Sequence, residues 1–382
     1  VMTSEQVKSR IHSIDIMRGV VILLMLLDHV RERFFLHMQV ADPMVVDTTS
    51  PGLFWSRFAA HFCAPTFIFL TGLSAWLYSH PASGVARSAR SFLIKRGLFL
   101  IALEVTLICF SWMGYYHTIW LQVMWAIGLC MLVLAALIKL PRNLLLVLGL
   151  VIVFGHNLLT PISFTPDEFG YSLWTILHDR GYLSQGGLID VKISYPVLPW
   201  IGVILLGYCA GPLYAHTQSA DSRKRALLLL ALLCVGLFAL LRGFNIYGET
   251  LPWQTFSTTT ETVMSVFNVT KYPPSLSFLL IMLAGMFVGL WLFERPLNRF
   301  TNALRVYGSV PMFFYIFHLY VLLFIYQIGM LIWGANQGQY LGVSDISGIW
   351  FITLLLAIGL YWPTKKFSEY KRKANKPWLK YL

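Results

Sequence analysis

His29 follows Asp28 directly and lies eleven residues after Arg18, inside a run of apolar side chains. If that run is a helix, eleven steps of about 100° leave an offset of about 20°, so Arg18 and His29 share a face about 16 Å apart along the axis. Asp15 and Arg18 are three residues apart and can pair near the helix start, where Ser13 is placed as an N-cap. Ionisable side chains at membrane depth are costly, and they line interiors or polar cavities. A histidine there is suited to take a proton from a hydroxyl or amine that attacks a thioester, or to carry an acyl group itself. The plainer role for such a residue is an interhelical hydrogen bond; the adjacent acid and the face shared with Arg18 favour chemistry at His29. Asp28 points about 100° away from His29, so it is expected to orient another group, such as His61 or an acceptor.

Further histidines fall in what reads as the outer half of other spans: His61, His117, His156 and His318. Glu104 is the one acid deep in a later span. The catalytic candidates are therefore His29, Asp28, His61 and Arg18. His318, Glu104, His156, Arg242 and Lys271 are candidates for contacting an acceptor, Lys271 because it opens the run Lys271-Tyr272-Pro273-Pro274-Ser275 at the end of an outer loop. No His-x₃-His or Glu-x-x-His spacing occurs, so no metal is expected. The five cysteines lie in or beside apolar runs and read as small core residues, without metal or disulfide spacing.

The elements that must hold these residues are membrane helices. Hydrophobic residues make up 57% of the 382-residue chain and charged residues 12%, whereas soluble domains carry about 25% charge. The apolar residues gather in segments of about 20, enough to cross a bilayer. Ten spans are expected, near 14–35, 58–79, 97–115, 118–138, 144–162, 196–215, 226–244, 275–293, 307–333 and 346–363. The first reads as an uncleaved helix rather than a leader, since Asp28 and His29 interrupt it. The fold class is all-α, a single polytopic helix bundle over residues 1–382.

Loop charges set the expected orientation. Lys8, Arg10, Arg87, Arg90, Lys95, Arg96, Lys139, Arg142, Arg223, Lys224, Arg225, Arg295, Arg299, Arg305 and the basic tail fall on one side. Arg31, Arg33, Arg57, Arg180, Lys192, Arg242 and Lys271 fall on the other. The richer side is the cytoplasmic one, which puts both termini inside. The net charge of +12 is accounted for by these loops, so no nucleic-acid partner is expected. The expected partners are the bilayer and a small-molecule or glycan acceptor, with a homodimer possible.

Arg18-x₁₀-His29 resembles the Arg-x₁₀-His motif of transmembrane acyltransferases. Ser13 to Gly19, Asp28-His29, His61-Phe62-Cys63-Ala64-Pro65 and Phe69-Leu70-Thr71-Gly72 are similar to a bacterial family related to heparan-α-glucosaminide N-acetyltransferase. Trp125 to Gly128, Gly155-His156-Asn157, Tyr195 to Trp200, Lys271 to Ser275 and Trp378 to Leu382 extend the resemblance along nearly the whole chain. It implies transfer of an acetyl group from cytosolic acetyl-CoA to an amine or hydroxyl of a sugar-like acceptor on the outer side, in a bacterial inner membrane. His29 takes the place of the motif histidine. The anionic donor would favour the inner cations Arg87, Arg90, Lys95, Arg96 and Arg305. Two other classes compete: a proton-coupled secondary transporter using Asp28, His29 and Glu104, and a non-catalytic glycan- or lipid-binding membrane protein. No inverted repeat or pair of broken helices favours the transporter.

Overall fold

The computed structural model describes residues 11–82, 85–374, 376 and 378–379. Lys8, Arg10 and the closing Lys380-Tyr381-Leu382 lie outside the described residues. Helix α1 (Ser13–Phe34) runs through the middle of the molecule, with most of its residues buried. Around it come α2 (Pro51–Ala60), α3 (Cys63–Ser79) and α4 (Arg90–Leu103), which continues through a π-turn over Glu104–Ile108 into α5 (Cys109–Met113). Strand β1 (Thr118–Leu121) precedes α6 (Val123–Leu137) and α7 (Arg142–Gly155). The short α8 (Tyr171–Leu177), β2 (Gly181–Ser184) and β3 (Asp190–Ile193) form the next connection. Helices α9 (Leu198–Cys209), α10 (Ala220–Gly243), α11 (Thr259–Phe267), α12 (Leu276–Leu292), α13 (Arg299–Ser309), α14 (Pro311–Trp333) and α15 (Ile346–Lys373) complete the chain.

Five stretches among the described residues are long and apolar enough to cross a membrane: Pro51–Ser79, Arg142–Leu159, Ala220–Gly243, Pro311–Trp333 and Ile346–Lys373. Shorter apolar helices, α6, α9 and α12, accompany them. The protein is a polytopic helical membrane protein. Where α3 crosses α9, Gly72 and Gly207 lie against each other's helix: a Cβ on either would overlap the backbone carbonyl of Ile204 or Phe69. Small residues at such crossings let helices approach closely where no hydrophobic effect drives them together.

Every apolar run expected to span is helical over most of its length, with four local departures. Residues 118–121 open not a helix but a strand, in a three-stranded sheet ordered β1-β3-β2. β1 pairs parallel with β3, Thr118 opposite Asp190, and β2 pairs antiparallel with β3. An apolar stretch this short does not distinguish strand from helix by periodicity, and the all-α expectation is corrected to a helical bundle carrying this small sheet. The run 307–333 is two helices, because Pro311 begins α14 and Val310 leaves the helical conformation before it. The last span extends beyond 363 to Lys373, with Pro363 inside the helix. Ser13 does not cap α1; its hydroxyl donates to Glu294 Oε1 at 2.6 Å.

The loops at the far end of α1 are tied to one another. Asn268 holds Met44 from both sides, its Oδ1 accepting the Met44 N–H at 2.9 Å and its Nδ2 donating to the Met44 carbonyl at 2.6 Å. The Asp42 carboxylate accepts the N–H groups of Lys271 at 3.0 Å and Tyr272 at 2.9 Å. Burial raises the Asp42 carboxyl above its ordinary value, opposed by the charges of Arg57 and Lys271 and by these two amides. The turn before α12 is thereby fixed, and with it the start of the Lys271 side chain.

Candidate active site

Five helices turn one face each toward a common interior. α1 contributes Arg18, Met25 and His29; α3 contributes Phe67, Thr71 and Ser74; α4 contributes Arg96 and Leu100. α6 contributes Met124, Ile127 and Met131, and α14 contributes Met312 and Tyr315. Within each helix the steps are mainly three and four residues, the spacing of a single face. Between them lie adjoining cavities. One of about 310 Å³ is lined by Arg18, Arg96 and Lys371. It shares Phe67, Thr71, Arg96, Met131 and Pro311 with a cavity of about 50 Å³. That one shares Met25, Phe67 and Met124 with a third, of about 40 Å³, lined by His29, Asp28, Tyr195 and Lys271. The run leads from three cations to an imidazole. A fourth cavity, about 400 Å³, meets the first across Arg18 and Ser74.

His29 and His318 are 2.7 Å apart, Nδ1 to Nε2, with their rings 5.0 Å apart and within 10° of parallel. Trp112 and Tyr315 meet the His29 ring edge-on. His29 Nε2 makes no hydrogen bond among the described residues. It is the ring atom left for the cavity that His29 lines. His318, expected as an acceptor contact, is fully buried and its Nε2 meets His29.

Asp28 does not orient His61. Its carboxylate takes Arg57 through both oxygens, at 2.9 and 3.1 Å, and Arg31 at 2.9 Å. His61 is buried beside Phe58 and Phe278, with both ring nitrogens lacking a hydrogen bond among the described residues. His156 is likewise buried with both nitrogens unpartnered, near His178 and away from the cavity run. His117 is exposed at the start of β1.

Glu104 lies in the π-turn, fully buried, and its Oε2 accepts the N–H groups of Met124 at 2.8 Å and Trp125 at 3.0 Å. It caps α6 from another helix. Met124 in turn lines the His29 cavity. Arg242 is also spent on the backbone: it donates to the carbonyls of Val266, Leu251, Ser265 and Asn268 at 2.5–3.0 Å. Arg242 thus clips together the backbone around the end of α11. Lys271 does reach the site. It is 3% exposed, lines the His29 cavity, and its ammonium lies 5.7 and 5.0 Å from the ring centroids of Tyr195 and Tyr272.

Among the inner cations, Arg96 lines the first two cavities. Arg87 lies 3.9 Å over the ring of Tyr78, which lines the basic cavity. Arg90 and Lys95 are exposed and Arg305 half-buried, and none of the three lines these cavities. Arg18 keeps its expected pairing with Asp15, at 3.3 Å, and donates to Ser74 at 2.5 Å. It lines the basic cavity with Arg96 and Lys371, not the one that holds His29. Lys371 was counted only with the basic tail, and Tyr195 only as part of a family motif; nothing in the local spacing of either marks it as a site residue.

The family model for the catalytic domain of heparan-alpha-glucosaminide N-acetyltransferase matches residues 10–236. The chain belongs to this family. Its members are membrane acetyltransferases that use acetyl-CoA as donor. The match takes in Arg18, Asp28, His29, His61, Arg96 and Glu104, and ends before Lys271 and His318. No curated protein matches the chain. Among the described residues no three His, Cys, Asp or Glu side chains are grouped to hold a metal ion.

Proposed function

We propose that the protein transfers an acetyl group from acetyl-CoA to an amine or hydroxyl of a sugar-like acceptor, with His29 as general base. The observation that supports it is the run of adjoining cavities from Arg18, Arg96 and Lys371 to His29. Three cations suit the donor's phosphates. The middle cavity, walled by Met25, Phe67, Met124 and Tyr315, suits a thin thioester arm. In this reading the basic end faces the cytoplasm, the His29 end faces outward, and ten spans place both termini inside. The membrane is a bacterial inner membrane.

The acceptor N–H or O–H attacks the thioester carbonyl carbon while His29 Nε2 takes its proton. The C–S bond then breaks, and the leaving sulfur recovers that proton from Nε2, so the ring ends as it began. Lys271 supplies positive charge to the oxygen that becomes negative between these steps.

The test uses purified protein and radiolabelled acetyl-CoA. Wild type binds the donor and releases or transfers label. His29→Ala binds it without transfer, and Arg96→Gln binds it more weakly. Failure of the wild type to bind acetyl-CoA, or full transfer by His29→Ala, overturns the reading.

A further inference from the structure

The imidazole at the end of the cavity run is held by a second imidazole that lines none of the cavities in that run. His318 is fully buried on α14. Its Nδ1 lies 2.7 Å from the carbonyl oxygen of Phe314, one turn earlier. A carbonyl only accepts, so Nδ1 carries the hydrogen and, in the neutral ring, Nε2 carries the lone pair. That lone pair faces His29 Nδ1 at 2.7 Å. His29 Nδ1 must then donate, and the lone pair of the neutral His29 ring falls on Nε2.

We infer that His318, oriented by the Phe314 carbonyl, is a positioning residue that fixes His29 in the tautomer whose Nε2 is open to the acyl-transfer cavity. This rests on the reading of His29 as the base. In the other tautomer Nε2 would carry a hydrogen and could not take a proton from the acceptor. The hydrogen bond also holds the plane of the ring, assisted by the edge-on contacts of Trp112 and Tyr315. When Nε2 takes the acceptor's proton, Nδ1 keeps its own, and His318 goes on accepting from a ring that is now positive. Such charge-assisted bonds are the stronger kind, so the partner favours the protonated ring at the moment of attack.

The test compares His318→Leu, His318→Gln, His318→Asn and His29→Ala in the full-length protein, with folded yield, acetyl-CoA binding, kcat and KM measured for each. Glutamine places its side-chain oxygen where Nε2 stood and can still accept from His29. Asparagine reaches only as far as Nδ1 did. His318→Leu is expected to lose roughly a hundredfold in kcat, the low end of what a general base contributes, with KM for acetyl-CoA little changed. His318→Gln recovers much of that loss and His318→Asn does not. Should the leucine variant fail to fold, the Gln and Asn variants still decide, since both are polar and similar in size. Equal kcat for Gln and Asn, or wild-type kcat for Leu, with His29→Ala inactive, overturns the positioning role and leaves the base intact. Full activity in His29→Ala overturns the base itself.

Discussion

Glu104 and Met124 are joined by a hydrogen bond of 2.8 Å between the carboxylate of one helix and the first amides of another. Met124 lines both the middle cavity and the His29 cavity, so the cap also sets a wall of the site. Glu104→Leu would leave two amides of α6 without a partner in a buried position, at a cost of about 1–3 kcal/mol each. A lower thermal midpoint in detergent is expected, together with reduced activity per folded molecule. Glu104→Gln keeps an acceptor oxygen and should lose much less of both. Equal midpoints for wild type and the leucine variant would count against the cap.

Lys271 offers a sharper test of the chemistry. Its ammonium lines the cavity of His29, and its backbone is anchored by Asp42. Lys271→Met keeps the length and apolar stem while removing the charge. If that charge stabilises the oxyanion, kcat falls by roughly a hundredfold, the scale of removing one such donor. The folded yield and acetyl-CoA affinity stay close to wild type. A loss confined to KM for the acceptor would instead place Lys271 in ground-state binding.

The Asp28 cluster predicts a loss of stability more than a loss of rate. Arg57 and Arg31 are 8% and 4% exposed, and both pair with this carboxylate, Glu32 being a second, longer partner at 3.9 and 3.2 Å. Breaking a buried pair by removing one partner costs about 3–5 kcal/mol. Asp28→Asn should therefore reduce folded yield strongly. Adding Arg57→Leu should recover part of the loss, since one stranded cation is then gone. The comparison is a double-mutant cycle read by unfolding in detergent; strict additivity would show that the two residues do not interact.

The parts of the site that lie on one helix were legible from spacing alone. Arg18 and His29 stand eleven residues apart and open into the same run of cavities, as a 3.6-residue period requires. The partners of His29 were not legible. His318 is a lone histidine in a separate span, 289 residues on, and nothing local indicates which helix it faces. Arg31, Arg33, Arg57 and Arg242 were counted as outer charges, yet all four are buried. Charge counting treats each arginine as facing water, while a guanidinium can equally be spent on carbonyls, as Arg33 is on Ser111 and Trp112. Pro311 marks the break between α13 and α14, within an apolar run long enough to read as one span. Glu104 stood out as a deep acid, but its use as a cap depends on where α6 begins, and the apolar run from Thr118 concealed that start.

Thr71 tests the route itself. It lines both the basic cavity and the middle one, as Arg96 and Met131 do, and its hydroxyl is already spent on the Phe67 carbonyl at 2.7 Å. Thr71→Trp would fill the passage between the cations and His29 without replacing a cation or the imidazole. Because the residue faces open volume rather than a packed neighbour, the overpacking cost should stay at the low end of about 1–3 kcal/mol, and the variant should fold. Acetyl-CoA turnover is expected to fall at least tenfold through a raised KM, since the donor could no longer bring its thioester to His29, while Thr71→Val stays close to wild type. Unimpaired turnover in Thr71→Trp would mean that the donor reaches the imidazole by another path, and the basic cavity would then have no part in binding it.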